Sequence, residues 1–389
     1  MLLIVHCRAL AIVVCAASTV ALSAEPAPTP ESNLPAASPE VSSAKVRMQA
    51  SGATFPQPLY DKLVVEYERL NPSVQISYQG GGSGAGIRAI SDKVVAFAAS
   101  DAPLTAKQIE GLGGVDAIIE VPMVAGGVVP AYNVPGVTEP LKFTGELLAD
   151  IYMGRVTKWN DSKIADINPG ITLPNLAITP VYRSDGSGTT FVFTNYLTTL
   201  SEDFGSSVGR GTQVNWPIGI GGKGNPGVAA AVQKTKGALG YMEMNFAKAN
   251  SIAFGLVKNS AGNFILATPD SITSAGKAAV GSFKGSRLVA NIWNQPGDDV
   301  YPIAAFTYII IYKDLRNIGS QSEANALIGF LSWASHEGQK IAKEMDYAPL
   351  SEPVRLKVTE ALRSATFQGK PVNLPTAAPA QTAPVTSAN

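Results

Sequence analysis

Apolar positions along this chain follow two alternating rhythms, one helical and one extended. Leu59, Leu63, Tyr67 and Leu70 recur at helical spacing behind Pro56 and Pro58, which predicts a helix opening at the prolines. Val74 to Tyr78 reads as a strand, followed by the Gly80–Gly84 loop and a short helix from Ile87. Val94 to Ala99 is a second short apolar run, ending at Ser100-Asp101. Val121 to Ala131 is apolar and β-branched, with an expected break at Gly126-Gly127. Phe143 to Tyr152 predicts a helix, Ile178 to Tyr182 a strand, and Thr189 to Leu200 a further helix after a polar Gly-rich loop. Phe306 to Tyr312 is a buried-strand pattern. Ala324 to Met345 carries helical patterning around Leu327, Phe330, Leu331 and Ala334. Helix and strand alternate without an internal repeat, which argues for an α/β architecture with largely parallel sheets.

Both ends break this rhythm. Residues 1–24 hold an apolar core, Ala9 to Ala21, behind Arg8, and end on the small residues Ser18, Ala21, Ser23 and Ala24. That order reads as a signal peptide cleaved near Ala24, because the run is too short to span a bilayer. Residues 25–46 are rich in Pro, Ala, Ser and Glu and predict a disordered linker, and residues 371–389 a flexible tail. Both cysteines, Cys7 and Cys15, fall inside the leader. Lipidation at Cys15 is disfavoured by the bulky Val14 before it. The mature chain would then have no disulfide, thiolate metal site or cysteine nucleophile.

Charge adds little direction. There are 30 basic and 30 acidic residues, so removing Arg8 leaves 29 against 30. No basic run with interleaved aromatics points to nucleic acid. The only histidine after the leader is His336, which excludes a multi-histidine zinc site and leaves little room for a histidine-based triad. Neither a metal nor a cofactor is expected. Gly219-Ile220-Gly221-Gly222-Lys223-Gly224 fails as a P-loop, since Pro217 replaces the first glycine and Gly224 the metal-binding hydroxyl. Gly186-Ser187-Gly188 lacks the spacing of a nucleophile elbow.

Candidate chemistry lies in three polar loops at strand-to-helix junctions: Ser51 to Phe55, Gly80 to Gly84, and Ser184 to Thr189. Each offers backbone N–H groups and a hydroxyl at a helix start, which are the parts of an anion site. Thr54, Ser83, Ser187 and Thr189 supply hydroxyls, and Arg183 a charged fork. One such loop alone is more often an ordinary cap. Three with an arginine favour an anion without naming it.

These same residues carry a resemblance. Ala53-Thr54-Phe55-Pro56, the loop with Ser83, Ala99-Ser100-Asp101-Ala102-Pro103 and Arg183 through Thr189 resemble the ligand loops of the periplasmic phosphate-binding protein of the phosphate-specific ABC transporter. Trp216-Pro217-Ile218-Gly219, Gly222-Lys223-Gly224-Asn225 and Gly237-Ala238-Leu239-Gly240-Tyr241 extend the likeness over roughly residues 48–365, with Ala85 as a modest departure. The resemblance implies a two-lobed type II periplasmic binding fold, with mixed sheets flanked by helices and joined by hinge strands. Lobe 1 would comprise 47–127 plus 302–370, and lobe 2 residues 128–301. It implies a phosphate site built from Ala53, Thr54, Phe55, Ser83, Asp101, Arg183, Ser187, Gly188 and Thr189. Asp101 would accept a proton that phosphate carries and sulfate lacks, which is how the site would reject sulfate. Asp185 either pairs with Arg183 or serves the turn, and the sequence leaves both open. The expected protein is a monomeric periplasmic capture protein, not an enzyme, that hands phosphate to ABC permease subunits. The runner-up is a binder of another tetrahedral oxyanion such as sulfate.

Overall fold

The computed structural model describes residues 45–283 and 285–373. The expected leader (1–24), the linker as far as residue 44 and the tail from residue 374 lie outside the described residues. The strands that concern the site are β1 (Val46–Gly52), β2 (Val74–Gly80), β3 (Phe97–Ser100), β4 (Ile118–Tyr132), β5 (Thr179–Arg183), β6 (Ile220–Gly222), β7 (Ala238–Glu243) and β8 (Ala304–Tyr312). The helices are α1 (Gln57–Leu70), α2 (Ser83–Ser91), α3 (Gly145–Tyr152), α4 (Gly188–Leu200), α5 (Gly224–Lys234), α6 (Gln321–Ser335) and α7 (Gln339–Glu344).

The main sheet runs β2-β1-β3-β8-β4-β7-β5-β6. Its two flanks are parallel: β1 pairs β2 and β3, while β5 pairs β6 and β7. Its middle is antiparallel, since β8 runs against both β3 and β4, and β4 against β7. The sheet is therefore mixed rather than largely parallel. Alternation of helix and strand describes the flanks, where each strand returns through a helix. It does not reveal that β8 arrives from the far end of the chain and runs the other way.

The expected break at Gly126-Gly127 is absent. β4 continues for 15 residues, every one of them buried. A methyl at Gly126 would lie 2.6 Å from the Phe55 ring. The glycine is there to admit that ring against the strand, which is the other meaning of glycine in a strand. At this same place β4 changes partners. It pairs β8 up to Gly127 and β7 from Val128 onward.

Helix starts follow local chemistry. α1 begins behind Pro56 and buries Leu59, Leu63 and Tyr67, as its spacing requires. α2 begins at Ser83, four residues before the expected Ile87, because Gly82 at φ 90° turns the chain directly out of the strand. The patterning from Ala324 to Met345 resolves into α6 and α7, broken at His336 to Gly338. His336 caps this break: Nδ1 lies 3.0 Å from Ser332 O and Nε2 3.2 Å from the Thr359 hydroxyl. Its role is structural.

Candidate anion-binding site

Four strand-to-helix crossings deliver helix N-termini to one place. Thr54 precedes α1, Ser83 opens α2, Thr189 lies in the first turn of α4, and Asn225 in the first turn of α5. Direct bonds join loops that are far apart in sequence. The Gly188 amide donates to Ser83 Oγ at 3.0 Å, and the Gly84 amide to Gly186 O at 2.9 Å. The approach is tight. A methyl on Gly82 would lie 2.2 Å from Asp185 Oδ2, and one on Gly188 2.5 Å from Asp101 Oδ2. Helix N-termini carry partial positive charge, so their convergence favours an anion.

Arg183 supplies the full positive charge and is 3% exposed. Its Nε and Nη2 donate to the two carboxylate oxygens of Asp185 at 2.8 and 2.6 Å, and Nη1 donates to Thr189 Oγ1 at 3.1 Å. Three of the five guanidinium N–H groups are thus engaged, leaving two. Asp185 also accepts from the Gly224 amide at 2.9 Å. Partial burial pushes its carboxyl up, but the Arg183 pair and the Gly224 N–H outweigh that and hold it below the usual range. Of the two roles open for Asp185, the fork with Arg183 is the one formed.

Asp101 faces the same place. It is 3% exposed, and its amide donates to Ser83 Oγ at 3.3 Å. Its Oδ1 is buried and accepts from no described residue. Burial pushes this carboxyl up to about 7, while the neighbouring Thr307 hydroxyl and the Arg183 charge pull it down and the Asp185 charge pushes it up. The site therefore combines many donors with one buried acceptor near its titration point at neutral pH.

The nominated residues do not all stand alike. Thr54, Ser83, Asp101, Arg183 and Thr189 are all buried: Arg183, Thr189 and Thr54 are linked directly or through Asn225, Asp101 is bonded to Ser83, and the Gly188 amide joins Ser83 to the loop of Thr189. The amides of Thr54, Phe55, Ser83 and Thr189 have no hydrogen-bond partner among the described residues. Five of the expected residues have their amides engaged within the protein: Ala53 donates to Ala99 O, Asp101 and Gly188 to Ser83 Oγ, Arg183 to the Tyr241 hydroxyl and Ser187 to Thr212 O. The Ala53 carbonyl accepts from the Tyr78 hydroxyl, so that residue has no free backbone N–H or unengaged carbonyl to offer. Ser187 Oγ caps α4 by accepting from the Thr190 amide at 3.0 Å, which keeps its O–H free to donate elsewhere. The Phe55 ring packs against β4.

Three residues beyond those the sequence points to support the site. Asn225 is fully buried and bonds Thr54, Thr189 and the Glu243 amide. The Tyr241 hydroxyl accepts from the Arg183 amide at 3.1 Å and lies 2.7 Å from Thr190 Oγ1, so it anchors the backbone that carries the guanidinium. Glu243 is buried behind the site. Its carboxyl is raised well above the ordinary value by burial first, with the Asp101 charge adding to the rise. Among the described residues no cluster of three or more His, Cys, Asp or Glu could hold a metal ion, and no helix is long and apolar enough to cross a membrane.

Comparison with known proteins accords with this geometry. Residues 38–337 match the model of the PBP superfamily domain. Phosphate-binding protein PstS of Pasteurella multocida is 40% identical over 310 residues, 79% of this chain and 87% of the relative. The chain belongs to the phosphate-binding protein PstS family. Phosphate-binding protein PstS of Methanocaldococcus jannaschii is 35% identical over 312 residues, covering 75% of this chain and 79% of that one. Solved structures share the PstS fold at lower identity. The phosphate-binding protein of Stenotrophomonas maltophilia aligns with a TM-score of 0.62 at 20% identity, over 81% of this chain and 93% of its own. PfluDING, a high-affinity periplasmic phosphate-binding protein solved with phosphate, aligns at 0.64 and 20% identity, with the same coverage. The fold is thus the mixed α/β fold of phosphate-binding periplasmic proteins. PstS proteins are binding proteins, not enzymes.

Proposed function

We propose that this chain captures inorganic phosphate between its two halves and delivers it to the permease subunits of an ABC transporter. The observation that carries the proposal is the pairing of a buried donor cluster with one unpartnered acceptor, Asp101 Oδ1. Donors alone suit any oxyanion. A buried carboxylate facing the anion suits only one that still carries a proton, which phosphate does near neutral pH and sulfate does not. Thr54, Phe55, Ser83, Arg183, Ser187 and Thr189 donate, and Asp101 accepts a hydrogen bond from the ligand's O–H. Ala53 and Gly188 act by shaping their loops, because both amides are engaged within the protein.

Lobe 1 (residues 47–127 and 302–370) and lobe 2 (residues 128–301) close on the ligand. The change of partner along β4 at Gly127/Val128 supports that division. Phosphate bridges loops of both lobes, so it binds the closed arrangement better and shifts the population toward it. The protein works outside the cytoplasm, in the periplasm, as a monomer without cofactor or nucleic-acid partner. The apolar leader supports export.

Calorimetric titration of the phosphate-stripped protein with phosphate, and separately with sulfate, tests this. One-to-one phosphate binding without a sulfate response is expected. Sulfate binding in preference to phosphate would overturn the role of Asp101, and silence toward both would overturn the function.

A further inference from the structure

Two hydroxyls of this site have their direction set by the protein. A threonine hydroxyl has one hydrogen to give and two lone pairs with which to accept. Thr54 Oγ1 accepts from both the amide and the side-chain Nδ2 of Asn225, at 3.1 and 3.0 Å. Thr189 Oγ1 accepts from Arg183 Nη1 at 3.1 Å and from Asn225 Nδ2 at 3.4 Å. Both lone pairs of each oxygen are occupied, so the hydrogen of each is left to donate outward.

The Asn225 amide is itself held in one orientation. Its Oδ1 accepts from the Glu243 amide at 3.0 Å, which directs Nδ2 toward the two hydroxyls. Turning it over would set its NH₂ against the Glu243 N–H, leaving two buried donors facing each other. Asn225 is 0% exposed, so water cannot rescue that arrangement. Thr54 follows β1 and Thr189 follows β5, so one side chain serves hydroxyls from both flanks of the sheet.

We propose that Asn225 is a positioning residue that fixes Thr54 and Thr189 as hydrogen-bond donors, presetting the site for an acceptor-rich anion before one arrives. This assignment rests on the phosphate reading above.

Asn225→Asp provides the discriminating test. The change is nearly isosteric and keeps the bond to Glu243, but it puts an acceptor where the donor stood. Thr54 and Thr189 then turn inward to give it their hydrogens. Phosphate titration should show affinity falling by more than about 100-fold in Asn225→Asp and only about tenfold in Asn225→Ala, which deletes one donor and reverses none. A scaffolding role predicts the opposite order, because the isosteric variant disturbs packing less. A negative charge at this position also repels phosphate, so the Asp variant is repeated with Thr54→Val. Repulsion is the same in both backgrounds, whereas the directional effect shrinks by about tenfold once that hydroxyl is gone. Thermal melts of each variant report folding. If Asn225→Asp does not fold, the cycle of Asn225→Ala with Thr54→Val decides, and strict additivity overturns the proposal. Equal penalties in both backgrounds, or Asp milder than Ala, also overturn it. A wild type that ignores phosphate overturns the phosphate reading and this assignment with it, whereas a wild type that binds isolates the failure to Asn225.

Discussion

Replacing Asp101 by asparagine should make the ligand-free protein more stable at neutral pH. Burial lifts this carboxyl from 3.8 to about 7, and its Oδ1 has no described partner. A rise of that size corresponds to roughly 4 kcal/mol, at about 1.4 kcal/mol per pH unit. The sign follows from which state holds the proton. Between the two values the folded chain keeps it and the unfolded chain has lost it. Stability therefore declines as pH rises from about 4, and the decline is complete once pH passes about 7. Asp101→Asn keeps the shape of the neutral acid and removes the titration. Wild type and variant should match near pH 4, and the variant should lead by roughly 4 kcal/mol near pH 8. Urea denaturation in phosphate-free buffer across that range measures the gap. Glu243 and Asp185 both feel this charge, so the difference between the two proteins reports Asp101 together with its coupling to them. Parallel curves would refute the argument, since they would mean the carboxylate is solvated or paired in the folded state. The same variant should bind phosphate more weakly, trading function for stability.

Two further outcomes follow from the geometry. Gly126→Ala would place a methyl 2.6 Å from Cε1 and Cζ of Phe55; an overpacking loss of about 1–3 kcal/mol is expected in urea melts, together with weaker phosphate binding as the Phe55 loop shifts, and an unchanged melt would show that the ring slides aside freely. Asp185→Asn removes the carboxylate that holds Arg183 by two bonds; stability should drop by about 2–3 kcal/mol at neutral pH, and because the native carboxyl lies below its ordinary value, the wild-type advantage should vanish as pH falls through that native value, which acid titration of the melting curve checks.

Much of this was legible in the chain because it is local. The α1 helix follows from the spacing of Leu59, Leu63 and Tyr67 behind Pro56. Thr54, Ser83 and Arg183 stand at strand-to-helix junctions that glycine and hydroxyl residues mark on their own. What stayed hidden depends on distant partners. Gly126 looks like a strand breaker until the Phe55 ring is seen against it. Asn225 sits 171 residues from the Thr54 hydroxyl that it directs. A signal was present all the same: Gly224-Asn225 opens a helix behind a strand, in the pattern of the three loops that were singled out. The engagement of the Ala53 and Gly188 amides could not be read from sequence either, because it depends on which loop lies opposite.

The placement of β8 bears on how the chain folds. β3 and β4 lie close in sequence but are joined in the sheet only through β8, which starts at Ala304. A chain emerging from the ribosome can form β1, β2 and α1 early, yet it must leave the facing edges of β3 and β4 bare until nearly all of it has been made. Such long-range pairing is slow because a large loop must close first. In that interval the bare edges are open to other strands, including those of neighbouring chains. Truncation before residue 304 should therefore give an aggregating fragment rather than a smaller folded protein.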